Sequence, residues 1–263
     1  KAGKNKTSPS TKTQQPQSPK VPKSFTHSQI FRQVTPTPPA NSALWRIISS
    51  QTLRVCVRSD IPPFGYFASR GLVGFDVELA KNLAIQLSIY FHKNISINWS
   101  VIEARQRITR LQYKSCDLVA AAFSYTPARA KKISFSSLYM TTNKVVIAAP
   151  EITRKTPIIA VVRGTTNYSC NIPGKVRFFS NYKEVIYAIT NNEIDYVIAD
   201  RPIALNVINQ VSKKFRMYKS LQQRERYGLG VHKDHKHLLN ILNRALQDLA
   251  HNGRLAYIYQ KWL

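Results

Sequence analysis

Four groups of polar residues follow short apolar runs, and together they offer the donors and acceptors that a zwitterion needs. Arg58 follows Leu53–Val57. Ser124 follows Leu118–Phe123, with Arg129 a few residues on. Thr165 and Thr166 follow Ile158–Val162 and Gly164, where the chain is expected to open a helix. Asp200 follows Tyr196–Ala199. A carboxylate is best held by a guanidinium fork, assisted by hydroxyls and by the free amides of a helix start. An ammonium takes a carboxylate, and Asp200 is the candidate. Each position also has a plainer reading. Arg129 fits a solvated helix residue equally well, and Asp200 fits an N-cap for a helix opening at Pro202. Lying just past a strand favours a functional role only as a tendency.

These positions converge only if the runs before them are strands of facing sheets. ALWRII, starting at Ala43, reads as one short helix. Leu53–Val57 is a strand, broken by Pro62 and Pro63. Asp76 reads as the N-cap of a helix that carries Val77, Ala80, Ala84 and Leu87 at helical spacing. Ile95–Val101 alternates like a strand, Arg105–Tyr113 reads as a helix with Ile108 and Leu111 inward, and Leu118–Phe123 is a buried strand. This βαβαβ order predicts a mostly parallel sheet covered by helices. Lys144–Ala149 is a further apolar run, and Pro150 and Pro157 bracket a loop. The pattern then restarts with a strand at Ile158–Val162, a helix at Tyr182–Thr190, a strand at Tyr196–Ala199 and a helix at Pro202–Val211. Residues 228–231 form a return strand, and Leu238–Leu249 and Ala256–Trp262 form the last helices. In such sheets ligands sit beyond the carboxyl ends of the strands. Two α/β units would face those ends across one cleft.

Charge narrows the partners. The chain carries 39 Lys and Arg against 13 Asp and Glu, a net of +26. Residues 1–42 hold basic and polar residues without apolar periodicity, and are expected to be a disordered basic linker. The excess continues into the body, which raises nucleic acid as a partner. No dense Lys/Arg run with stacking aromatics, zinc finger or RNA-binding signature supports that, so contact with an anionic surface through the tail is the reading kept. Cys56, Cys116 and Cys170 show no metal-ligand spacing. Cys56 and Cys116 lie in apolar runs and read as buried free thiols. No metal and no cofactor are implied. No apolar run reaches the length of a membrane span. A chain starting at Lys1 fits a removed signal peptide or an upstream membrane anchor. Catalysis needs a positioned acid or base, and none of His27, His92, His232, His235, His237 and His251 falls at a predicted strand end facing the cleft. The chain is read as non-enzymatic, with no catalytic residue.

From Leu53 onward the chain resembles a periplasmic solute-binding protein of the polar amino-acid type, bacterial solute-binding protein family 3. The resemblance is carried by LRVCVRSDIPPFGYF, LVGFDVELAKNLA, RITRLQYKSCDLVAAAFSYTPARAKKISFSSLYM, VVRGTTN, NNEIDYVIADRPIAL, YGLGVHKD and LNRALQDLAHNGRLAYIYQKWL, in that order. It implies an α/β, two-lobed periplasmic-binding-protein type II fold with a ligand cleft between two mostly parallel sheets. Lobe 1 would span 43–142 plus 227–263, and lobe 2 would span 143–226, joined by two crossing strands. By resemblance Arg129 pairs with the ligand α-carboxylate, helped by Ser124 and by amides near Thr165 and Thr166. Asp200 takes the α-ammonium.

QRITRLQ resembles the glutamate/aspartate-binding branch, in which arginines at the positions of Arg107 and Arg58 hold a side-chain carboxylate. Two guanidiniums in one cleft repel a cationic ligand. The resemblance thus implies a monomer, periplasmic or extracellular, that closes on glutamate or aspartate and delivers it to the membrane subunits of an ABC transporter. The same module also serves as a ligand-sensing receptor domain, and a few proteins of this fold are dehydratases. Three features depart from the pattern. Ile61 replaces the aromatic before Pro-Phe, Ala121 and Ala122 stand where many members carry Gly or small hydroxyls, and Tyr182 stands where the acidic branch uses His.

Overall fold

The structure is a computed structural model and describes residues 37–167, 172–211 and 215–263. The described chain enters through α1 (Ala43–Ser50) and β1 (Thr52–Val57), followed by an antiparallel meander of β2 (Asp60–Ile61), β3 (Gly65–Ala68) and β4 (Gly71–Val73). Next come α2 (Phe75–Phe91), β5 (Ser96–Val101), a 3₁₀ turn (Ala104–Gln106), α3 (Arg107–Gln112) and β6 (Leu118–Ala120). A short α4 (Pro127–Ala130) and β7 (Ser134–Phe135) lead to the long strand β8 (Met140–Ala148). The second unit holds β9 (Ile158–Val162), β10 (Lys175–Phe179), α5 (Tyr182–Thr190), β11 (Tyr196–Asp200) and α6 (Arg201–Gln210). The long β12 (Arg216–Tyr227) returns to β13 (Gly230–Val231), α7 (Lys236–His251) and α8 (Arg254–Trp262).

Two five-stranded sheets result, in the orders β5-β1-β6-β13-β7 and β10-β9-β11-β8-β12. In each, the first three strands are parallel, the fourth (β13 or β8) runs against them, and the fifth (β7 or β12) pairs antiparallel with the fourth. The parallel strands are those that the sequence periodicity predicts, except β10, which it missed because four of its five residues are exposed. The antiparallel strands are return strands whose direction periodicity does not encode. The inner parallel strands β9 and β11 are buried along nearly their whole length. Helices cover both faces of such strands, so their sequences are continuous apolar runs. α7 packs on the first unit through Leu238, Ile241, Leu242, Ala245, Leu246 and Leu249, a single apolar stripe. β8 and β12 pair from Arg216↔Ala148 to Tyr227↔Met140 and carry on to the first sheet, where Tyr227 bridges Ser124. These two strands are the connection between the sheets.

Several local expectations change. Asp76 is not an N-cap: Gly74, at φ 129°, holds that position, and Asp76 is buried inside the first turn of α2. A Cβ on Gly74 would lie 2.3 Å from the Phe64 carbonyl oxygen, so only glycine fits between the meander and the helix. Structure begins before Ala43, because Pro38 is already buried and Ser42 caps α1 by accepting from the Trp45 amide at 3.1 Å. The rest of the expected linker, residues 1–36, and Cys170 lie outside the described residues.

Cys56 and Cys116 are not free thiols. They form a disulfide between β1 and the residue that leads into β6, with Cα atoms 5.8 Å apart. Neighbouring parallel strands bring them together, a proximity the intervening sequence hides. The bond closes a loop of 60 residues. Constraining the unfolded chain by that much is worth about 4 kcal/mol. Urea unfolding of the reduced protein should show a loss of about that size, and thiol titration of the oxidised, denatured chain should find one free cysteine rather than three.

Candidate functional site

The carboxyl ends of β1, β6, β9 and β11 meet at one enclosed cavity of about 10 Å³, the space of a single water. Six of the seven sequence-predicted site residues line it together: Arg58, Arg107, Ser124, Thr165, Thr166 and Asp200. Arg129 stands just behind the wall. Its guanidinium donates to the Ser124 carbonyl at 2.8 Å and to the Gly164 carbonyl at 2.7 Å, and it lies 5.1 Å from the Phe123 ring centre. The short helix α4, capped by Thr126 and opened by Pro127, aims it there. Thr165 and Thr166 do not open a helix among the described residues. They sit in a turn after Gly164, and the Thr165 hydroxyl donates back to the Val162 carbonyl.

Arg107 is as deeply enclosed as Arg58. It is 2% exposed, and its guanidinium donates to the carbonyls of Ala104, Ala121 and Ala122 in the first unit and of Gly164 in the second, at 2.8–3.0 Å. All four acceptors are neutral. Burial, and then the nearby positive charges of Arg129 and Arg58, hold its pKa well below the normal guanidinium range. Arg107 also stacks on Phe123 at 4.5 Å. Ala122 bends into the left-handed region at φ 44° so that its carbonyl reaches Arg107 while its amide donates to Asp76 at 2.6 Å. A positive φ is a conformation that glycine adopts without strain and alanine rarely does.

Arg58 differs from its expected role. It is buried, but its fork is already filled by Asp60, with bonds of 2.9 and 2.7 Å. Asp60 also accepts from the Tyr182 amide at 3.0 Å, the first residue of α5 in the second unit. The pair therefore joins the two units, and Arg58 does not present a free fork to the cavity. Arg58 lowers the Asp60 pKa against the cost of burial.

Asp200 holds the N-cap position of α6, but its carboxylate does not serve as the cap. One of its oxygens accepts from the Tyr227 hydroxyl. Burial pushes its carboxyl up to about 6; Tyr227 opposes the rise and the charge of Glu225 reinforces it. Its other oxygen has no partner among the described residues, and the same is true of the Asn167 side-chain oxygen and the Tyr182 hydroxyl. All three residues line the cavity. Orphaned polar atoms in a protein interior are rare. Three around one cavity mark where a polar guest would be bound.

Sequence reasoning missed Asn167 and Ile203 in the wall, and Tyr227 behind it, and marked Ala122 only as a departure from a family pattern. Asn167 follows Thr166 directly, so the turn already carried its signal. Tyr227 lies at the far end of a crossing strand and carries no local signal. Tyr182 was visible only as a departure from a family pattern.

The chain matches the family of bacterial extracellular solute-binding proteins, family 3, over residues 53–263, and it belongs to that family. Among curated proteins it is similar to the ABC transporter glutamine-binding protein GlnH of Bacillus subtilis, 26% identical over 221 residues that cover 79% of each chain. Among solved structures it is similar to an ancestral arginine-binding protein bound to arginine, at 27% identity and TM-score 0.73, covering 81% of this chain and 98% of that one. It is also similar to the solute receptor for L-cysteine of Neisseria gonorrhoeae, at 27% identity and TM-score 0.76, covering 84% and 93%. The fold is the two-lobed periplasmic-binding-protein type II fold. No helix among the described residues is long and apolar enough to cross a membrane.

Arg107 holds backbone from both units, so its removal leaves buried carbonyls without donors. Arg107→Ala should cost about 3 kcal/mol or more of unfolding free energy, read by urea denaturation, while Arg105→Ala on the exposed neighbour should cost under about 0.5 kcal/mol.

Proposed function

We propose that this chain binds a polar amino acid in the cavity between its two sheets, outside the cytoplasm, and hands it to an ABC transporter. The observation that carries the reading is the set of three orphaned buried atoms on Asp200, Asn167 and Tyr182. Two of them are pure acceptors and the third, a hydroxyl, also accepts, which is the complement of an ammonium. The α-ammonium goes to Asp200. The α-carboxylate goes to Arg129, with the Ser124 hydroxyl and the amides near Thr165 and Thr166, displacing the carbonyls that Arg129 now holds. A cavity the size of one water admits an amino acid only when its walls part. Lobe 1 (43–142 and 227–263) and lobe 2 (143–226) then open about β8 and β12, and contacts with both stabilise the closed form.

The side chain we assign is acidic. Arg107 is a buried cation with neutral partners, and a ligand carboxylate beside it supplies the missing countercharge. A neutral polar side chain is the second reading, favoured by the Arg58–Asp60 pair, which cancels one of the positive charges. Calorimetry against glutamate, aspartate, glutamine and arginine decides between them. Glutamate or aspartate should bind tightest; tighter glutamine binding overturns the acidic assignment and leaves the amino-acid site standing. Arg129→Ala and Asp200→Asn should each weaken the best ligand by about a hundredfold, since each leaves a buried charge unpaired. Unchanged affinity in both would remove the site.

Binding should also depend on pH. The ammonium requires ionised Asp200, whose pKa is raised to about 6, and the bound ammonium lowers that value. Protons are therefore released on binding at low pH. Affinity should be flat above about pH 7 and fall by up to about tenfold per unit below about pH 6. Asp200→Asn should abolish this slope.

A further inference from the structure

The strand bridge that walls the cavity has a second face. Ser124 and Tyr227 are buried on the cavity side, and their neighbours Tyr125 and Arg226 point outward, as strand alternation requires. Tyr125 donates its amide to the Arg226 carbonyl at 2.8 Å, and the Arg226 guanidinium lies 5.8 Å from the Tyr125 ring centre. Outside this pair runs an open groove of about 700 Å³. Its floor presents Phe135, Leu138 and Leu239, with Ser134, Ser136 and Ser137 between them, and Tyr125 is 36% and Leu138 40% exposed. Its rim is Arg226, Lys233 and Lys236.

No carboxylate lines this groove. Among the described residues, none of the three rim cations forms an ion pair. Asp234, next to Lys233 in sequence, faces Lys114 and His232 instead, at 3.6 Å from each. Surface cations on a natural protein are usually interspersed with acids, and an apolar floor rimmed by one sign of charge marks an interaction site.

We propose that this groove docks an acidic polypeptide segment of a partner protein, with an aromatic or aliphatic side chain on the floor and carboxylates on Arg226, Lys233 and Lys236. Charge excludes the nearer occupants. A second copy carries the same net +26, and residues 1–36 contain basic residues and no acid. A bare polyanion would satisfy the rim and leave the floor in water, forfeiting the apolar burial that the groove offers. The volume fits one large side chain and its neighbours.

The test uses the full chain and fluorescence anisotropy at about 0.15 M ionic strength, where unspecific charge attraction is screened. The probes are labelled Glu-Glu-Phe-Leu-Glu-Glu, hexaglutamate, Lys-Lys-Phe-Leu-Lys-Lys and polyphosphate. The acidic peptide with the apolar centre should bind about tenfold tighter than each of the others. Arg226→Glu and the pair Lys233→Glu/Lys236→Glu should each weaken it about tenfold with the thermal midpoint unchanged, and Leu138→Asp should do the same through the floor. Equal binding of hexaglutamate or polyphosphate would assign the groove to anionic polymers, and indifference to the charge reversals would place the peptide elsewhere. Either result overturns the proposal.

Discussion

The buried guanidinium of Arg107 sets terms for the rest of the molecule. A delocalised cation taken out of water must have its donors satisfied, and here the acceptors are four backbone carbonyls drawn from both units. Those carbonyls are in place only because the chain bends at Ala122 and at Gly164, at φ 44° and 81°. Gly164 allows nothing larger: a Cβ there would lie 2.5 Å from the Arg105 backbone. The end of β9 and the 3₁₀ turn before α3 therefore meet backbone to backbone. Arg129 donates to the same Gly164 carbonyl, so one peptide unit of the second lobe takes bonds from two arginines of the first.

Around this contact the charges form layers. Arg58 and Asp60 neutralise one another and also reach the first amide of α5. Lys144 and Glu225 form a second buried pair at 2.9 Å on the crossing strands. Asp76, pushed up to about 6 by burial, is held by the Tyr139 hydroxyl and the Ala122 amide. Once these partners are matched, Arg107 is left with neutral acceptors and Asp200 with one oxygen that has no partner among the described residues. Arg107 and Asp200 both line the cavity, so it holds a cation and a carboxylate whose charges its own walls leave unmatched. The cavity wall and the outer groove share the Ser124–Tyr227 bridge, so a single pair of strands presents one face to each.

The sequence determined the parts that local periodicity encodes. Continuous apolar runs gave the buried parallel strands, 3.6-residue spacing gave α2 and α7, and the polar residues just past the strands gave five of the cavity's lining side chains, with Arg107 added by family resemblance. Tertiary structure decided what each of those side chains touches. Arg58 was legible as a cavity residue, but the link from its partner Asp60 to α5 was not, because the Asp60–Tyr182 bond joins positions 122 apart. Cys56 and Cys116 looked like two isolated thiols until neighbouring strands placed their Cα atoms 5.8 Å apart. Tyr227 and the direction of β8, β12 and β13 depend on which edges the chain returns to. Burial periodicity is a property of one segment and its solvent, so a sequence carries it directly. Charge pairing, strand direction and the orphaning of a polar atom depend on segments brought together by folding, and only the folded chain fixes them.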